Sequence, residues 1–218
     1  SSRNYKSYRT FLKYLKVVKG KRLLDVSCGT GKLLRVAEEH GLITFGIDLS
    51  EKAIEKAKEF ANNSKIDVGN AEDLPYPDRY FDYITNLGSL EHYLNPDSAL
   101  SEMLRVLKDD GKLCIMVPNS YYLFDIIHVL KYGCRKSKTG QIQEKLAPKG
   151  EWIEIIKNKN FEVLEIYRDR EPIDISWRKV FSNMNLKHIF DKIMEKLLQN
   201  YMPLNLGYQF IFICKKRN

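Results

Sequence analysis

Hydrophobic and polar positions follow two periodicities along the first half of the chain. Apolar side chains three and four residues apart predict amphipathic helices, and short apolar runs between turn residues predict strands. Five strands are expected at residues 22–26, 43–48, 65–69, 80–85 and 113–117. Helices are expected over residues 5–18 and 32–40, after the cap residue Ser50, and from Pro96 to the turn at 109–111. This alternation predicts a parallel sheet with right-handed crossovers.

The second half of the chain is less regular. We predict helices over residues 121–131 and 148–157, a basic loop over 135–145, and strands over 161–167 and 208–214. Apolar positions at helical spacing also form a long stripe through residues 176–200. The expected fold is α/β, a Rossmann-like sheet of seven mostly parallel strands with an antiparallel last strand, helices on both faces and helical cap additions.

The length of 218 residues favours one domain, residues 1–218. Its parts are expected to be an N-terminal helical cap and a cofactor-binding core, followed by two cap insertions and by two segments that complete the sheet. The N-terminal cap is residues 1–21, and the core is residues 22–118. The cap insertions are residues 119–147 and 172–205, and the segments that complete the sheet are residues 148–171 and 206–218.

Composition excludes several classes of protein. With 44% hydrophobic and 29% charged residues, the chain is typical of ordinary globular proteins rather than of disordered or collagen-like ones. Its apolar runs are far shorter than the roughly 20 residues that span a bilayer, and its first residues show no signal peptide. The four cysteines lack metal-ligand spacing, so no metal site is expected. We expect reduced thiols and a cytoplasmic location.

The net charge of +8 is unevenly distributed. Residues 1–22 hold eight basic side chains and no acidic ones, residues 23–118 have a net charge of −7, and residues 119–218 have a net charge of +7. The acidic block coincides with the predicted sheet and both basic blocks with the predicted caps. This distribution favours an anionic acceptor, or contact with an anionic membrane surface, on the cap side.

The motif with the clearest chemistry is LDVSCGTG at residues 24–31, a strand that enters a tight glycine turn before a helix. Asp48 ends the next strand, where a carboxylate can accept both hydroxyls of a ribose. The NAED segment at 70–73 follows the third strand and the NLG turn at 86–88 the fourth. All four segments are therefore expected at the carboxyl edge of the sheet, where open α/β sheets bind ligands.

These motifs resemble class I S-adenosylmethionine-dependent methyltransferases of the broad group that modifies small molecules, lipids and sugars. The resemblance covers residues 22–118 and includes LLDVSCGTG, GIDLS, NAEDLPYPDRYFDYI, LEHYLNP and LRVLKDDGKL. It implies S-adenosyl-L-methionine as cofactor and S-adenosyl-L-homocysteine as product. It also implies that the cofactor is bound by Asp25, Cys28, Gly29, Thr30, Gly31, Asp48, Leu49, Asn70, Ala71, Glu72, Asn86 and Leu87.

Within that resemblance, Asp25 and the turn would hold the methionine part, and the Asn86 carbonyl would contact its ammonium group. Asp48 would bind the ribose, while Leu49, Asn70 and the Ala71 backbone would contact the adenine. The chain departs from the family at two positions: Ser27 replaces a usual glycine, and Asn70 replaces a frequent aspartate.

Methyl transfer to a hydroxyl is helped by a general base, and His92 after the fourth strand is the candidate. The same histidine could instead only line the pocket. The acceptor is expected to be a small-molecule, lipid-linked or sugar compound, reached by in-line displacement. The protein could be a monomer or a homodimer.

Three alternative functions stay open at this stage. The first is an RNA or tRNA methyltransferase, for which the segment KYGCRKSK at residues 131–138 is the nearest approach to a stacking platform with interleaved basic residues, although a solvated loop is the favoured interpretation of this segment. The second is a cofactor-binding protein without catalytic activity. The third is an NAD(P)-dependent short-chain oxidoreductase, because Ser120, Tyr132 and Lys136 have the spacing of that family.

Overall fold

Seven strands and six helices make up the part of the chain that the computed structural model describes, which is residue 3 and residues 5–134, 145–169 and 201–217. The strands are β1 (Arg22–Val26), β2 (Ile43–Asp48), β3 (Lys65–Val68), β4 (Phe81–Leu87), β5 (Leu107–Pro118), β6 (Phe161–Arg168) and β7 (Gln209–Lys216). The helices are α1 (Tyr5–Leu15), α2 (Lys32–Glu39), α3 (Glu51–Phe60), α4 (Pro96–Val106), α5 (Leu123–Tyr132) and α6 (Lys149–Lys157). Short 3₁₀ turns cover Leu90–His92 and Leu204–Leu206.

The sheet has the order β3-β2-β1-β4-β5-β7-β6, and only β7 runs antiparallel to its neighbours. This confirms the predicted α/β fold. The chain builds outwards from β1 through β2 to β3 and then returns to pair β4 with the other side of β1. The build direction therefore reverses between β1 and β4, which opens a crevice at the carboxyl edge.

Helices cover both faces of the sheet because each strand of its centre is apolar on both sides. On one face α1, α2 and α3 bury side chains such as Phe11, Leu34 and Ile54. On the other face α4 and α6 bury side chains that include Met103 and Trp152. The Trp152 indole also donates a hydrogen bond of 2.9 Å to the Pro118 carbonyl, so burial of its polar atom costs little.

The boundary between the fourth helix and the fifth strand was predicted at residues 109–111, and this prediction is wrong. Helix α4 ends at Val106 and β5 begins at Leu107, which pairs with Phe81, whereas Tyr83 pairs with Lys112. Residues 108–111 therefore form a bulge inside β5. The backbone hydrogen bond from Tyr80 N to Val106 O, 2.8 Å long, holds the end of α4 beside the start of β4.

The first helix ends at Leu15 rather than at residue 18, because Lys16 adopts a left-handed conformation with φ of 55°. At the carboxyl edge, α5 begins soon after β5, and none of its ten residues is buried. The predicted stripe at 176–200 and nearly all of the predicted basic loop lie outside the described residues. Among the described helices, each is too short or too polar to cross a membrane.

One arginine of α4 holds the loop that follows β3. The Arg105 guanidinium donates hydrogen bonds of 2.8 Å to Leu74 O and 2.7 Å to Tyr76 O, and it pairs with Glu102 at 2.7 Å. Glu102 in turn accepts from Leu74 N at 2.8 Å. The hydrogen bond from Arg105 is the main reason that the pKa of Glu102 is lowered. This clamp fixes the backbone of residues 74–76.

We expect Arg105→Ala to lower the free energy of unfolding by about 2–4 kcal/mol, because it leaves two carbonyls without their side-chain donor and Glu102 without its cationic partner. Arg105→Lys should restore only part of the loss, since an ammonium lacks the planar fork. Chemical denaturation of the purified protein measures both effects. Arg79→Ala is the matched control, because its ion pair to Asp109 is exposed and should contribute less than about 1 kcal/mol. Equal effects of the two alanine variants would contradict the clamp.

Candidate active site

The ends of β1 and β2 are joined by a hydrogen bond between a backbone amide and a carboxylate. Gly29 N donates to Asp48 Oδ2 over 2.8 Å, although the two residues are 19 positions apart. The other carboxylate oxygen of Asp48 accepts from Ser50 N at 2.9 Å. Ser50 itself caps α3 by accepting from Ala53 N. Asp48 thus aligns the glycine turn with the start of the following helix.

Glycine is required at two positions of the turn for different reasons. Gly31 has φ of 72°, and a Cβ there would lie 3.0 Å from the Cβ of Ala57, so it permits α2 to approach α3 closely. Gly29 has φ of 53°, and a Cβ there would meet no atom of the described residues within 4 Å. The backbone at Gly29 is therefore open to a ligand, as the sequence predicted for this turn.

Asp25 lies at the centre of the sheet near the end of β1 and is only 4% exposed. Its Oδ1 accepts a hydrogen bond of 2.6 Å from the Thr85 hydroxyl on β4. Burial raises the pKa of Asp25 to about 7, with a further rise from the charge of Asp48, while the bond from Thr85 opposes the shift. A buried carboxylate that titrates near neutral pH beside a crevice is typical of a functional site.

The loop after β3 uses its polar side chains internally. Asn70 Oδ1 accepts from Glu72 N at 3.0 Å, and Glu72 Oε1 accepts from Asn95 N at 2.9 Å at the start of α4. Ala71 is buried, whereas the Leu49 side chain is 69% exposed at the end of β2. The predicted adenine-contacting residues therefore lie on adjacent strand ends, and their assignment stays a prediction.

Asn86 connects β4 to β1 through its side chain. Its Nδ2 donates to Val26 O at 3.1 Å and to the Tyr93 hydroxyl at 2.5 Å. Oδ1 of the same amide is buried and has no hydrogen-bond partner among the described residues. The sequence had singled out the backbone carbonyl of Asn86, and its contact with an ammonium group stays a prediction.

Tyr93 is a site residue that sequence reasoning missed. Its hydroxyl lies 2.7 Å from Ser27 Oγ on the glycine turn as well as 2.5 Å from Asn86 Nδ2. Burial raises the pKa of the Tyr93 phenol above its usual range. The only available signal was its position next to His92, because nothing local shows which way a tyrosine in a short turn points.

His92 ends the 3₁₀ turn after β4, and its side chain is 28% exposed. Its Nε2 lies 3.9 Å from Glu91 Oε1, and its backbone N donates to Ser89 O at 2.9 Å. The imidazole is therefore partly exposed beside the carboxyl edge. Whether it acts as a base stays a prediction.

The pattern that suggested an oxidoreductase is only partly described. The Ser120 hydroxyl is buried without a hydrogen-bond partner among the described residues, whereas Tyr132 is 57% exposed at the end of α5. Lys136 lies outside the described residues. The two described members of the pattern therefore differ in accessibility, which gives no support to a shared site.

The buried carboxyl of Asp25 should make the stability of the unliganded protein depend on pH. Because the pKa is raised in the folded state, stability is greatest below the unfolded pKa of about 4 and falls as pH rises towards 7. We expect Asp25→Asn to remove a decline of at most about 1.4 kcal/mol per pH unit. Denaturant unfolding between pH 4.5 and 8 measures the difference, with the exposed Asp73→Asn as control. Parallel curves for wild type and Asp25→Asn would contradict it.

The amino-acid sequence of this chain is similar to those of known methyltransferases. The family model described as "Methyltransferase domain" matches residues 24–115, the stretch from β1 to β5. A ubiquinone biosynthesis O-methyltransferase of Coxiella burnetii is 33% identical over 126 residues, which are 53% of this chain and 54% of that protein. An uncharacterized protein of Methanocaldococcus jannaschii is 32% identical over 162 residues, which are 73% of this chain and 61% of that protein. The chain spans about half the length of the curated relatives that it matches.

Solved structures agree on the fold. One chain of the complex between the Haloferax volcanii Trm112 methyltransferase activator and the putative methyltransferase has a TM-score of 0.73 at 19% identity, covering 99% of this chain and 90% of that one. Phosphoethanolamine N-methyltransferase 2 of Haemonchus contortus, solved with S-adenosyl-L-methionine, has a TM-score of 0.66 at 21% identity, covering 99% and 53%. Residues 24–115, with the glycine turn, Asp25 and Asp48 at the switch point of this sheet, thus match the methyltransferase domain family.

Proposed function

We propose that the chain transfers a methyl group from S-adenosyl-L-methionine to a small-molecule, lipid-linked or sugar acceptor and releases S-adenosyl-L-homocysteine. The observation that carries the proposal is the hydrogen bond between Gly29 N and Asp48, which holds one carboxylate against an open glycine turn. Asp25, a second acidic side chain, lies near the end of β1 just before this turn. Asp25 and Asp48 both suit a cationic ligand better than a pyrophosphate, which needs donors and positive charge. This argues for the sulfonium cofactor over a nicotinamide dinucleotide.

The residues of the crevice fit the two ends of such a cofactor. Asp48 keeps further lone pairs on oxygens that already organise the turn, so it can also accept from ribose hydroxyls. Asp25 has a pKa of about 7, and an ammonium group nearby would favour its ionised form. The open backbone at Gly29 leaves room between them.

When bound, the cofactor supplies an electrophilic methyl group on a positively charged sulfur. The protein contributes chiefly by holding the acceptor in line and by excluding water, since alignment can provide most of the rate. We propose that His92 accepts the proton of an acceptor hydroxyl at its imidazole nitrogen. Asn86 Nδ2 already donates to Val26 O on β1, and the Tyr93 hydroxyl is already hydrogen-bonded to Ser27 on the glycine turn, so these two groups suit a supporting role rather than proton transfer.

The acceptor side has an apolar character that supports a partly hydrophobic substrate. Helix α5 begins five residues after β5, and its exposed side chains include Ile127, Val129 and Leu130. The ubiquinone biosynthesis O-methyltransferase and the 27-O-demethylrifamycin SV methyltransferase among the relatives favour an acceptor of this kind. The basic residues near α5 favour an anionic group as well, and Arg135, Lys136 and Lys138 of that cluster lie outside the described residues.

We expect S-adenosyl-L-homocysteine to raise the melting temperature of the wild type, and NADP to leave it unchanged. Asp48→Ala should weaken binding roughly 10- to 100-fold, because hydrogen bonds to a charged acceptor are lost. Asp48→Asn retains the size of the side chain and separates this loss from misfolding. Asp67→Ala, which removes an equal charge from the exposed face of β3, is the control for titration calorimetry. A shift with NADP alone would instead favour the oxidoreductase.

If His92 is the base, His92→Ala should lower kcat about 10²- to 10⁴-fold and leave the affinity for S-adenosyl-L-homocysteine within about twofold. The pH profile of kcat should lose its acidic limb in the variant. His92→Gln, which keeps hydrogen bonding without basicity, should behave like the alanine variant. These rates require an acceptor, found by screening for release of S-adenosyl-L-homocysteine. Unchanged turnover in both variants would mean that alignment alone carries the reaction.

A further inference from the structure

Three polar side chains form a continuous chain of hydrogen bonds that ends on the glycine turn. Asn86 Nδ2 lies 2.5 Å from the Tyr93 hydroxyl, and this hydroxyl lies 2.7 Å from Ser27 Oγ. Ser27 is the position at which the family resemblance expects glycine, and it has φ of 61°. A serine in this left-handed conformation is strained relative to glycine, because its Cβ approaches the following carbonyl oxygen. Such strain persists at sites where the side chain has a function.

The direction of the hydrogen bonds follows from the donors available. Nδ2 of Asn86 also faces the Val26 carbonyl at 3.1 Å, and a carbonyl only accepts, which assigns the amino group of the amide to this side. Both hydrogens of the amide are thus used, one towards Val26 and one towards Tyr93. The Tyr93 oxygen therefore acts as acceptor towards Asn86.

The phenol proton of Tyr93 then has Ser27 Oγ as its acceptor. Burial raises the pKa of the phenol, so the proton stays on Tyr93 across the physiological range. A hydroxyl has one hydrogen, and Ser27 Oγ already accepts from Tyr93. The hydrogen of Ser27 is left to donate elsewhere, and Ser27 is only partly buried at the turn.

We infer that Ser27 donates a hydrogen bond to the carboxylate of the amino-acid end of the cofactor, and that Tyr93, held by Asn86, is the positioning residue that orients this donor. The inference rests on the proposed function, which places the methionine part at the glycine turn. The inference goes beyond the proposed function because it assigns a ligand contact to the Ser27 side chain, which the glycine usual at this position would not have. It also explains why a tyrosine follows His92: its hydroxyl supports the serine.

Two ligands separate this role from a merely structural one. S-adenosyl-L-homocysteine carries the amino-acid end, whereas 5′-methylthioadenosine has the same nucleoside and sulfur without it. Ser27→Ala should weaken S-adenosyl-L-homocysteine binding about tenfold and leave 5′-methylthioadenosine within twofold. Tyr93→Phe should produce the same selective loss, since the Ser27 hydroxyl would no longer be directed outwards. Titration calorimetry gives both dissociation constants.

The double variant and a control complete the experiment. Ser27→Ala with Tyr93→Phe should bind S-adenosyl-L-homocysteine no more weakly than either single variant, because the two residues act through one contact. Ser27→Gly should show the same ligand selectivity without the backbone strain, which covers the case that the alanine variant folds poorly. Tyr83→Phe removes a phenol hydroxyl from β4 away from the carboxyl edge and should change neither affinity.

The outcomes distinguish failure of the inferred role of Ser27 and Tyr93 from failure of the proposed function. Equal losses for both ligands, additive losses in the double variant, or no loss at all would overturn the role of Ser27 and Tyr93 while the wild type still binds S-adenosyl-L-homocysteine. Failure of the wild type to bind S-adenosyl-L-homocysteine would overturn the proposed function together with this inference.

Discussion

The position of β1 between β2 and β4 is the constraint on which the rest of the structure depends. Because both neighbours run parallel to β1, the carboxyl ends of all three strands lie at one edge of the sheet. Because β2 and β4 lie on opposite sides of β1, the loops that follow these strands diverge and leave a crevice at that edge. The hydrogen bond from Gly29 to Asp48 closes one side of the resulting crevice, and the contacts of Asn86 with Val26 and Tyr93 close the other. The candidate site is therefore a consequence of strand order.

Features that oppose stability are concentrated at this edge. Asp25 is a carboxyl buried at the centre of the sheet, and Ser27 has a backbone conformation that suits glycine. The fold tolerates the buried carboxyl and the unfavourable backbone conformation because the same strands also build two large apolar clusters, one on each face of the sheet, whose burial stabilises it. A ligand that offers a cation to Asp25 and an acceptor to Ser27 would reverse part of that cost on binding. The unfavourable terms and the proposed contacts thus involve the same side chains.

Much of the fold could be predicted from the sequence because helix and strand periodicity is local. The limits of β1 and β2 agree with the prediction residue for residue, Ser50 caps α3 as expected, and α4 begins at Pro96 as expected. The glycine turn was equally clear, since only glycine tolerates the approach of Ala57 at Gly31. The stretch matched by the family model, residues 24–115, contains these elements, together with the boundary between α4 and β5 that was predicted wrongly.

By itself, then, the sequence determined the class of fold, the order of the central elements and the edge of the sheet at which the glycine turn and Asp48 meet. Only the tertiary structure decided how the polar side chains at that edge divide their hydrogen bonds. Glu72, predicted to contact the cofactor, accepts from Asn95 N, and Tyr93, which was not singled out, joins Ser27 to Asn86. Partners so far apart along the chain meet only after the strands have paired, so no local pattern records them.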